Sequence, residues 1–299
     1  MNIKQRNFLT QKEYQDVVQL LKECEKHDGY TVSASINLSM LQKAEGSHLD
    51  LLLSYDEKGS KVIGFLGVYS FLVKTKVELA GMIHPDHRKA GRFTEMLNKA
   101  LEICKERDAD EILYVCPGTS AEAKSLMNKI EATYSFSEYT MEYSKKAENG
   151  DENPILQQKI EFLLAEEKDV EIIGNLLSDG FHFEHANDSV TPLLERNRTQ
   201  EGFELYLIKY EGKDIATLTI SNEESSMYIS AFTVTPLKRG KGIGREILRR
   251  AIKMIENNYP GKKIRLDVDV KNINALKLYE GVGFQKISGY DYFLNRGEK

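Results

Sequence analysis

The residues best suited to chemistry lie in one stretch, Phe232-Thr233-Val234-Thr235-Pro236-Leu237-Lys238-Arg239-Gly240-Lys241-Gly242-Ile243-Gly244-Arg245. A β-prone start and an amphipathic continuation place a glycine-rich, basic loop between the end of a strand and the start of a helix. Glycine lets the backbone turn sharply and lets its N–H groups approach a ligand with no Cβ in the way. The helix start adds unpaired N–H groups and the positive end of a dipole, so the unit is suited to hold a phosphate or pyrophosphate. Lys238, Arg239, Lys241 and Arg245 supply counter-charge nearby.

Three other readings compete for the same residues. A nucleoside-triphosphate P-loop needs G-x-x-x-x-G-K-[ST], and no glycine pair here is followed by Lys and a hydroxyl residue. A dinucleotide fingerprint needs G-x-G-x-x-G directly after the strand, whereas this loop runs G-x-G-x-G after intervening residues, although Asp267 does stand about 20 residues on. A solvated basic helix start is the plainest reading, but three alternating glycines exceed what a helix cap needs.

The elements that must position this loop occur twice. Ile83-His84-Pro85-Asp86-His87-Arg88-Lys89-Ala90-Gly91 lines up with Val234-Thr235-Pro236-Leu237-Lys238-Arg239-Gly240-Lys241-Gly242, an offset of about 151 residues. Ile243, Ile247, Leu248, Ala251, Ile252 and Ile255 then recur at helical spacing, as do Phe93, Met96, Leu97, Ala100, Leu101 and Cys104. Each helix leads to a β-prone run, at 111–115 and 263–270, and to a further helix-like segment, at 121–130 and 273–279. Upstream in the second half the pattern predicts a strand near 159–164, a helix over 170–177, less regular sequence to about 200, and strands over 203–210, 214–221 and 227–234. A final strand is expected over 284–294. Between the halves, Ser144 to Pro154 has Ala147 as its only apolar member, which marks a boundary. The expected domains are 1–144 and 155–299 with a polar linker at 145–154. Hairpin strands followed by strand, helix, strand argue for an α/β class with an α+β mixed sheet flanked by helices, used twice.

Arg239-x-x-Gly242-x-Gly244 resembles the [QR]-x-x-G-x-[GA] loop of the GNAT superfamily of acetyl-CoA-dependent acetyltransferases. The run from Leu266 to Phe284, with Val268, Asn272, Ala275, Leu278, Tyr279 and Gly283, resembles that family's L-x-V-x-x-x-N-x-x-A-x-x-L-Y-x-x-x-G-F signature. The resemblance covers essentially all of 155–299 and extends in weaker form to 1–144, an arrangement similar to tandem members such as mycothiol synthase. It implies that acetyl-CoA is the cosubstrate, that Phe232, Thr233 and Val234 lie along its pantetheine arm, and that Arg239, Gly240, Lys241, Gly242, Ile243, Gly244 and Arg245, with Asn272, bind it.

The same resemblance implies an N-acetyltransferase acting by direct attack of a primary amine in a ternary complex, with Tyr279 as the general acid for the leaving thiolate. The competing reading of Tyr279 is a core aromatic with a satisfied hydroxyl. An amine of pKa near 10 is only about 0.1% neutral at pH 7, so a base is required. Alternation puts Leu266, Val268 and Val270 on one strand face and Asp267 and Asp269 on the other. Asp267, twelve residues before Tyr279, is the candidate base, with a solvated strand carboxylate as the alternative. Specificity in the family usually comes from the segment between the first helix and second strand, where Phe181-His182-Phe183-Glu184-His185 places His182, Glu184 and His185 as candidate acceptor-binding residues. Their spacing is not H-E-x-x-H, and no metal is expected. The acceptor is expected to be a small-molecule or peptide amine.

The first half departs from the pattern. Phe93 stands where Gly or Ala is usual, Met127 falls opposite Tyr279, and Val115 or Cys116 opposite Asp267. The segment before Gln11 is short for a first strand. Residues 1–144 are therefore expected to be a non-catalytic copy, with the active site in the C-terminal domain; a non-catalytic acyl-CoA-binding or regulatory module is the alternative for the whole chain. Both halves end in one recognisable strand where the family often has a hairpin, so a strand shared between domains, or between subunits of a homodimer, is expected.

Composition bounds these readings. The 299 residues suggest two domains at roughly 150 residues each. With 41 Lys and Arg against 46 Asp and Glu, the net charge of −5 gives no global field for nucleic acid or an anionic membrane. The amino terminus lacks a secretory apolar region, and the longest apolar-rich run, Val62 to Val73, is far below the roughly 20 residues needed to span a bilayer. Cys24, Cys104 and Cys116 form neither a disulfide framework nor a C-x-x-C motif, so a reducing cytoplasm is expected.

Overall fold

The computed structural model describes residues 2–36, 38–42, 50–70, 75–145, 153–181, 186–223 and 226–295. The chain divides into two compact units, Met1–Tyr139 with Ser288–Lys299, and Thr140–Ile287. Thr140–Tyr143 groups with the second unit, and the last part of the chain groups with the first.

The first unit begins with β1 (Asn2–Arg6), which pairs antiparallel with β2 (Asp50–Tyr55). The short amino-terminal segment thus does supply a strand, because five extended residues suffice to complete a sheet edge. Between them lie α1 (Gln11–Asp28) and the single turn α2 (Ser33–Ile36). Thr10 and Glu13 form a reciprocal cap at the start of α1, and Gly29 closes its end in the left-handed conformation. Strands β3 (Val62–Tyr69) and β4 (Lys76–Ile83) continue the antiparallel meander. After α3 (Arg92–Glu106), β5 (Glu111–Pro117) runs parallel to β4. Then come α4 (Ala121–Lys129) and β6 (Thr133–Tyr143). One sheet face packs on α1 through Val17, Leu20 and Leu21, the other on α3 through Met96, Leu97 and Ala100.

The second unit repeats this plan. A short helix α5 (Pro154–Gln158) precedes β7 (Ile160–Leu164), α6 (Val170–Phe181) and α7 (Ala186–Thr199). Strands β8 (Phe203–Tyr210), β9 (Lys213–Glu223) and β10 (Ser226–Val234) form the meander with β7. In α8 (Ile243–Asn258), the expected stripe of Ile243, Ile247, Leu248, Ala251, Ile252 and Ile255 is buried. Strand β11 (Lys263–Asp269) runs parallel to β10 and has β6 as its other neighbour. Helix α9 (Ile273–Val282) ends at left-handed Gly283 and leads to β12 (Phe284–Leu294). The end of β12, Tyr290–Leu294, pairs antiparallel with β5 and so closes the first unit's sheet.

The three cysteines are free and buried. Among the described residues no helix is long and apolar enough to cross a membrane.

Candidate active site

The site is built where β10 and β11 part. Their parallel ladder runs from Ser226↔Lys263 to Tyr228↔Arg265 and ends there, although both strands continue. On its other side β10 carries a bulge. Ser230 opposes Thr219 and Thr233 opposes Thr217, so β10 spends one extra residue, and Ala231 adopts a left-handed φ of 49°. Bulges of this kind re-aim the residues that follow. The Thr235 amide donates to Ile215 of β9. By strand alternation the Val234 amide therefore points to the opposite, open side. Thr233 is pressed under α6, where a Cβ added to Gly180 would stand 2.3 Å from Thr233 Oγ1. Phe232 is half-buried, and Thr233 and Val234 are buried.

The loop after β10 keeps the conformation its glycines allow. Gly240 and Gly242 have φ of 73° and 78°, and a Cβ at Gly240 would meet nothing within 4 Å. Their backbone, not a shortage of space, selects glycine there. The Arg239 amide is turned back to Pro236 and the Arg245 amide to Gly242, whereas the amides of Gly240, Lys241, Gly242, Ile243 and Gly244 have no backbone carbonyl partner among the described residues. Arg239 Nε donates to the Val234 carbonyl at 2.7 Å, and its two Nη groups meet no carboxylate among the described residues. Lys241 Nζ donates to the Leu237 carbonyl, and Arg245 is exposed. A Cβ on Gly244 would lie 3.8 Å from Phe232 and 3.7 Å from Val234, and 3.6 Å from Leu278 of α9. One on Gly281 would lie 3.4 Å from Arg245 Nη2. The start of α8, the end of β10 and α9 therefore meet at this place.

Tyr279 lies on α9, one residue beyond Leu278. Its ring is buried edge-on against Phe284, and its hydroxyl has no hydrogen-bond partner among the described residues. Burial pushes its pKa up to about 12, so the phenol holds its proton at neutral pH. Asn272 caps the same helix, with Oδ1 accepting from the Ala275 amide at 3.1 Å.

Asp267 stands on the face of β11 opposite buried Leu266 and Val268, as alternation predicted. Solvent reaches its side chain, yet the recess around the carboxylate is crowded with protein atoms. That desolvation raises its pKa to about 6, against hydrogen bonds from Thr140 and Tyr228 and the nearby charge of Arg265 that pull it down. Thr140 Oγ1 donates to Asp267 Oδ1 at 2.7 Å, and Tyr228 OH approaches the same oxygen at 3.5 Å. The structure thus groups Asp267 with Thr140 and Tyr228, whereas Tyr279 packs on Phe284 and its helix meets the loop region through Leu278 and Gly281. Sequence reasoning singled out neither Thr140 nor Tyr228. His182, Glu184 and His185 lie outside the described residues.

The first unit preserves the backbone of the loop and fills its surroundings differently. Gly91 has φ 74°, and Lys89 takes φ 61° where the second unit has Gly240. The β4–β3 register is unbroken, without the bulge. Arg88 Nε donates to the Ile83 carbonyl at 3.0 Å, but its Nη atoms are held by Asp28 at 2.7 and 2.8 Å and by Glu122 at 3.2 Å. Burial works against the Asp28 carboxylate, but Arg88 holds its pKa below the usual range. Tyr30 OH donates to Ser120 Oγ at 2.9 Å, tying the end of α1 to the cap of α4. Val115, the register equivalent of Asp267, and Met127, opposite Tyr279, are buried in apolar clusters.

Comparison with known proteins shows the family. The sequence model described as "Acetyltransferase (GNAT) family" matches residues 14–130 and 138–284. Spermine/spermidine N(1)-acetyltransferase of Bacillus subtilis is 31% identical over 78 residues, 26% of this chain and 49% of that protein. N-alpha-acetyltransferase 30 of Saccharomyces cerevisiae is 35% identical over 72 residues, 24% of this chain and 40% of that protein. The chain thus spans about half the length, or less, of these curated relatives. A tandem GNAT protein from the clavulanic acid biosynthesis pathway superposes with a TM-score of 0.70 at 11% identity, over 98% of each chain.

Proposed function

The chain belongs to the acetyltransferase (GNAT) family, and from that premise we propose that its second unit transfers an acetyl group from acetyl-CoA to a primary amine of a small molecule or peptide, by direct attack in a ternary complex. One observation carries the choice of unit. Among the described residues the Arg239 Nη groups meet no carboxylate and five consecutive loop amides have no backbone carbonyl partner, whereas Arg88 is already neutralised by Asp28 and Glu122.

The residues fit the cosubstrate. Left-handed Gly240 and Gly242 keep the loop amides open to a diphosphate, and Arg239, Lys241 and Arg245 balance its charge. The open edge of β10 at Phe232, Thr233 and Val234 offers backbone groups to an extended amide-bearing arm. Acetyl-CoA supplies the acyl group as an activated thioester. The outward Val234 amide is the donor for charge developing on the thioester oxygen. Asp267 takes the amine proton, directly or through water. A carboxylate of pKa near 6 is ionised at neutral pH and is more basic than an ordinary aspartate. Tyr279, protonated and with its hydroxyl unengaged, delivers a proton to the departing sulfur. Asn272 caps the amino-terminal end of α9, the helix on which Tyr279 lies, and its Nδ2 remains available to the cosubstrate.

Calorimetric titration of acetyl-CoA into the intact chain tests this reading, followed by an acceptor screen with spermidine, an amino-terminal peptide and glucosamine. One site per chain and turnover with an amine are expected. Two sites would show that the carboxylates on Arg88 do not close the first loop, and no binding would overturn the acetyltransferase reading.

A further inference from the structure

Strand β6 begins in the first unit and passes into the second at Thr140. Its last residues sit beside β11, where Glu142 receives Arg265 Nε and Nη2 at 3.0 and 2.9 Å and Lys263 at 3.2 Å. This ion cluster ties the end of β6 to β11. Burial opposes the Glu142 carboxylate, but the paired Arg265 and Lys263 hold its pKa below the usual range, so the clamp stays charged at neutral pH. Two residues earlier on the same strand face, buried Thr140 points at Asp267.

We propose that Thr140 is a positioning residue for the reaction of the second unit, holding Asp267 by Oδ1 so that Oδ2 is the oxygen that accepts the amine proton. The proposal rests on Asp267 being the base. Both neighbouring hydroxyls, Thr140 at 2.7 Å and Tyr228 at 3.5 Å, approach Oδ1, which leaves the other oxygen as the open acceptor. A carboxylate held by one oxygen cannot rotate freely, and holding a base in its productive geometry is worth rate. The step balances. The ammonium first gives one proton to solvent through Oδ2; the neutral nitrogen then forms the bond to the acyl carbon and its second proton passes to Oδ2, while the carbon–sulfur bond breaks and the sulfur takes the Tyr279 proton. Solvent then takes a proton from Asp267 and returns one to Tyr279.

Asp267 is faced from β10 by Tyr228 and from β6 by Thr140 and Glu142. On its own strand the charged neighbours are Lys263, Arg265 and Asp269, and of these Lys263 and Arg265 are engaged by Glu142. Thr140 is therefore the closest donor to the carboxylate, and it stabilises the ionised form. The site of the second unit is consequently incomplete without a residue that precedes the polar segment at 145–154.

The test is Thr140→Val, which keeps the shape and removes the donor, with Thr140→Ser as the rescue, both in the full chain. The Asp267 carboxyl titration is followed by carbon-13 NMR, with the resonance assigned by its loss in Asp267→Asn. In parallel, the pH profile of acetyl-CoA turnover is measured with spermidine, the amino-terminal peptide and glucosamine as acceptors. Thr140→Val is expected to raise both the carboxyl titration and the acid limb of the profile by about one pH unit, with kcat lowered and KM for acetyl-CoA unchanged. Thr140→Ser restores all three. A carboxyl titration that does not move overturns the proposal, and so does one that moves while the rate profile stays fixed. Undiminished turnover in Asp267→Asn would instead overturn the assignment of Asp267 as base.

Discussion

Arg88 and Arg239 make the same bond in the two halves of the chain: each Nε donates to the last carbonyl of the preceding strand, Ile83 at 3.0 Å and Val234 at 2.7 Å. What differs is the far side of the guanidinium. Arg88 faces Asp28 and Glu122, and Arg239 faces no carboxylate among the described residues. One local design thus gives an arginine paired with carboxylates in the first unit and, among the described residues, one without a carboxylate in the second.

Replacing these arginines should therefore have opposite consequences. Arg239→Ala removes charge-assisted donors worth about 1.5–3 kcal/mol, so acetyl-CoA affinity should fall roughly 10- to 100-fold with little loss of stability. Arg88→Ala should leave acetyl-CoA affinity unchanged. It leaves the largely buried Asp28 with the exposed His27 ring in place of its bidentate partner and should destabilise the fold by about 1–3 kcal/mol. Calorimetry and denaturant unfolding read the two effects separately, and equal loss of affinity in both variants would contradict the asymmetry.

Tyr279→Phe isolates one hydroxyl. The ring's burial against Phe284 is retained, so the helix keeps its place. Loss of the acid should lower kcat by about 10²- to 10⁴-fold while the Kd for acetyl-CoA stays within a factor of two or so. Full activity in this variant would leave the phenol as a packing residue, and absence of turnover in the wild type would favour a binding module.

Gly180 sits where α6 crosses the bulged strand. Its substitution by Ala would bring a Cβ to 2.3 Å from Thr233 Oγ1 and 2.6 Å from Thr233 Cβ, so the helix or the bulge must shift. Overpacking of this kind costs about 1–3 kcal/mol. Because Thr233 lies on the edge assigned to the pantetheine arm, Gly180→Ala should weaken binding of acetyl-CoA more than that of a truncated adenosine diphosphate probe. Unchanged affinity for both would show that the bulge does not depend on this contact.

The sequence carried the local elements well, because periodicity is a local signal. The stripe of α8, the hairpin strands β8 to β10 and the left-handed glycines of the loop all follow from residues within a few positions of one another. What escaped is non-local. Asp28, Arg88 and Glu122 are separated by 60 and 34 positions, and Thr140 lies 127 positions from Asp267, so no spacing rule joins them. The bulge at Ala231 was silent because a non-glycine residue adopts the left-handed conformation there. The assignment of Ser288–Lys299 to the first unit and of Thr140–Tyr143 to the second depends on strand pairing, which composition at a linker does not encode.

Asp267 links activity and stability with opposite signs. As a base it must be ionised, so kcat/KM should rise tenfold per pH unit below about 6 and level off above it. The folded protein, with this pKa raised above the unfolded value of about 3.9, retains a proton that the unfolded chain gives up between pH 4 and 6. Stability should therefore fall as pH rises through that window, and the penalty is fully present above it. Asp267→Asn removes the penalty and can still accept from Thr140 through its amide oxygen. It should abolish turnover and yet melt no lower than the wild type at pH 7.5, with the difference vanishing below about pH 4. A variant that is inactive because it is less stable at pH 7.5 would point to a structural role for the carboxylate and against its role as the base.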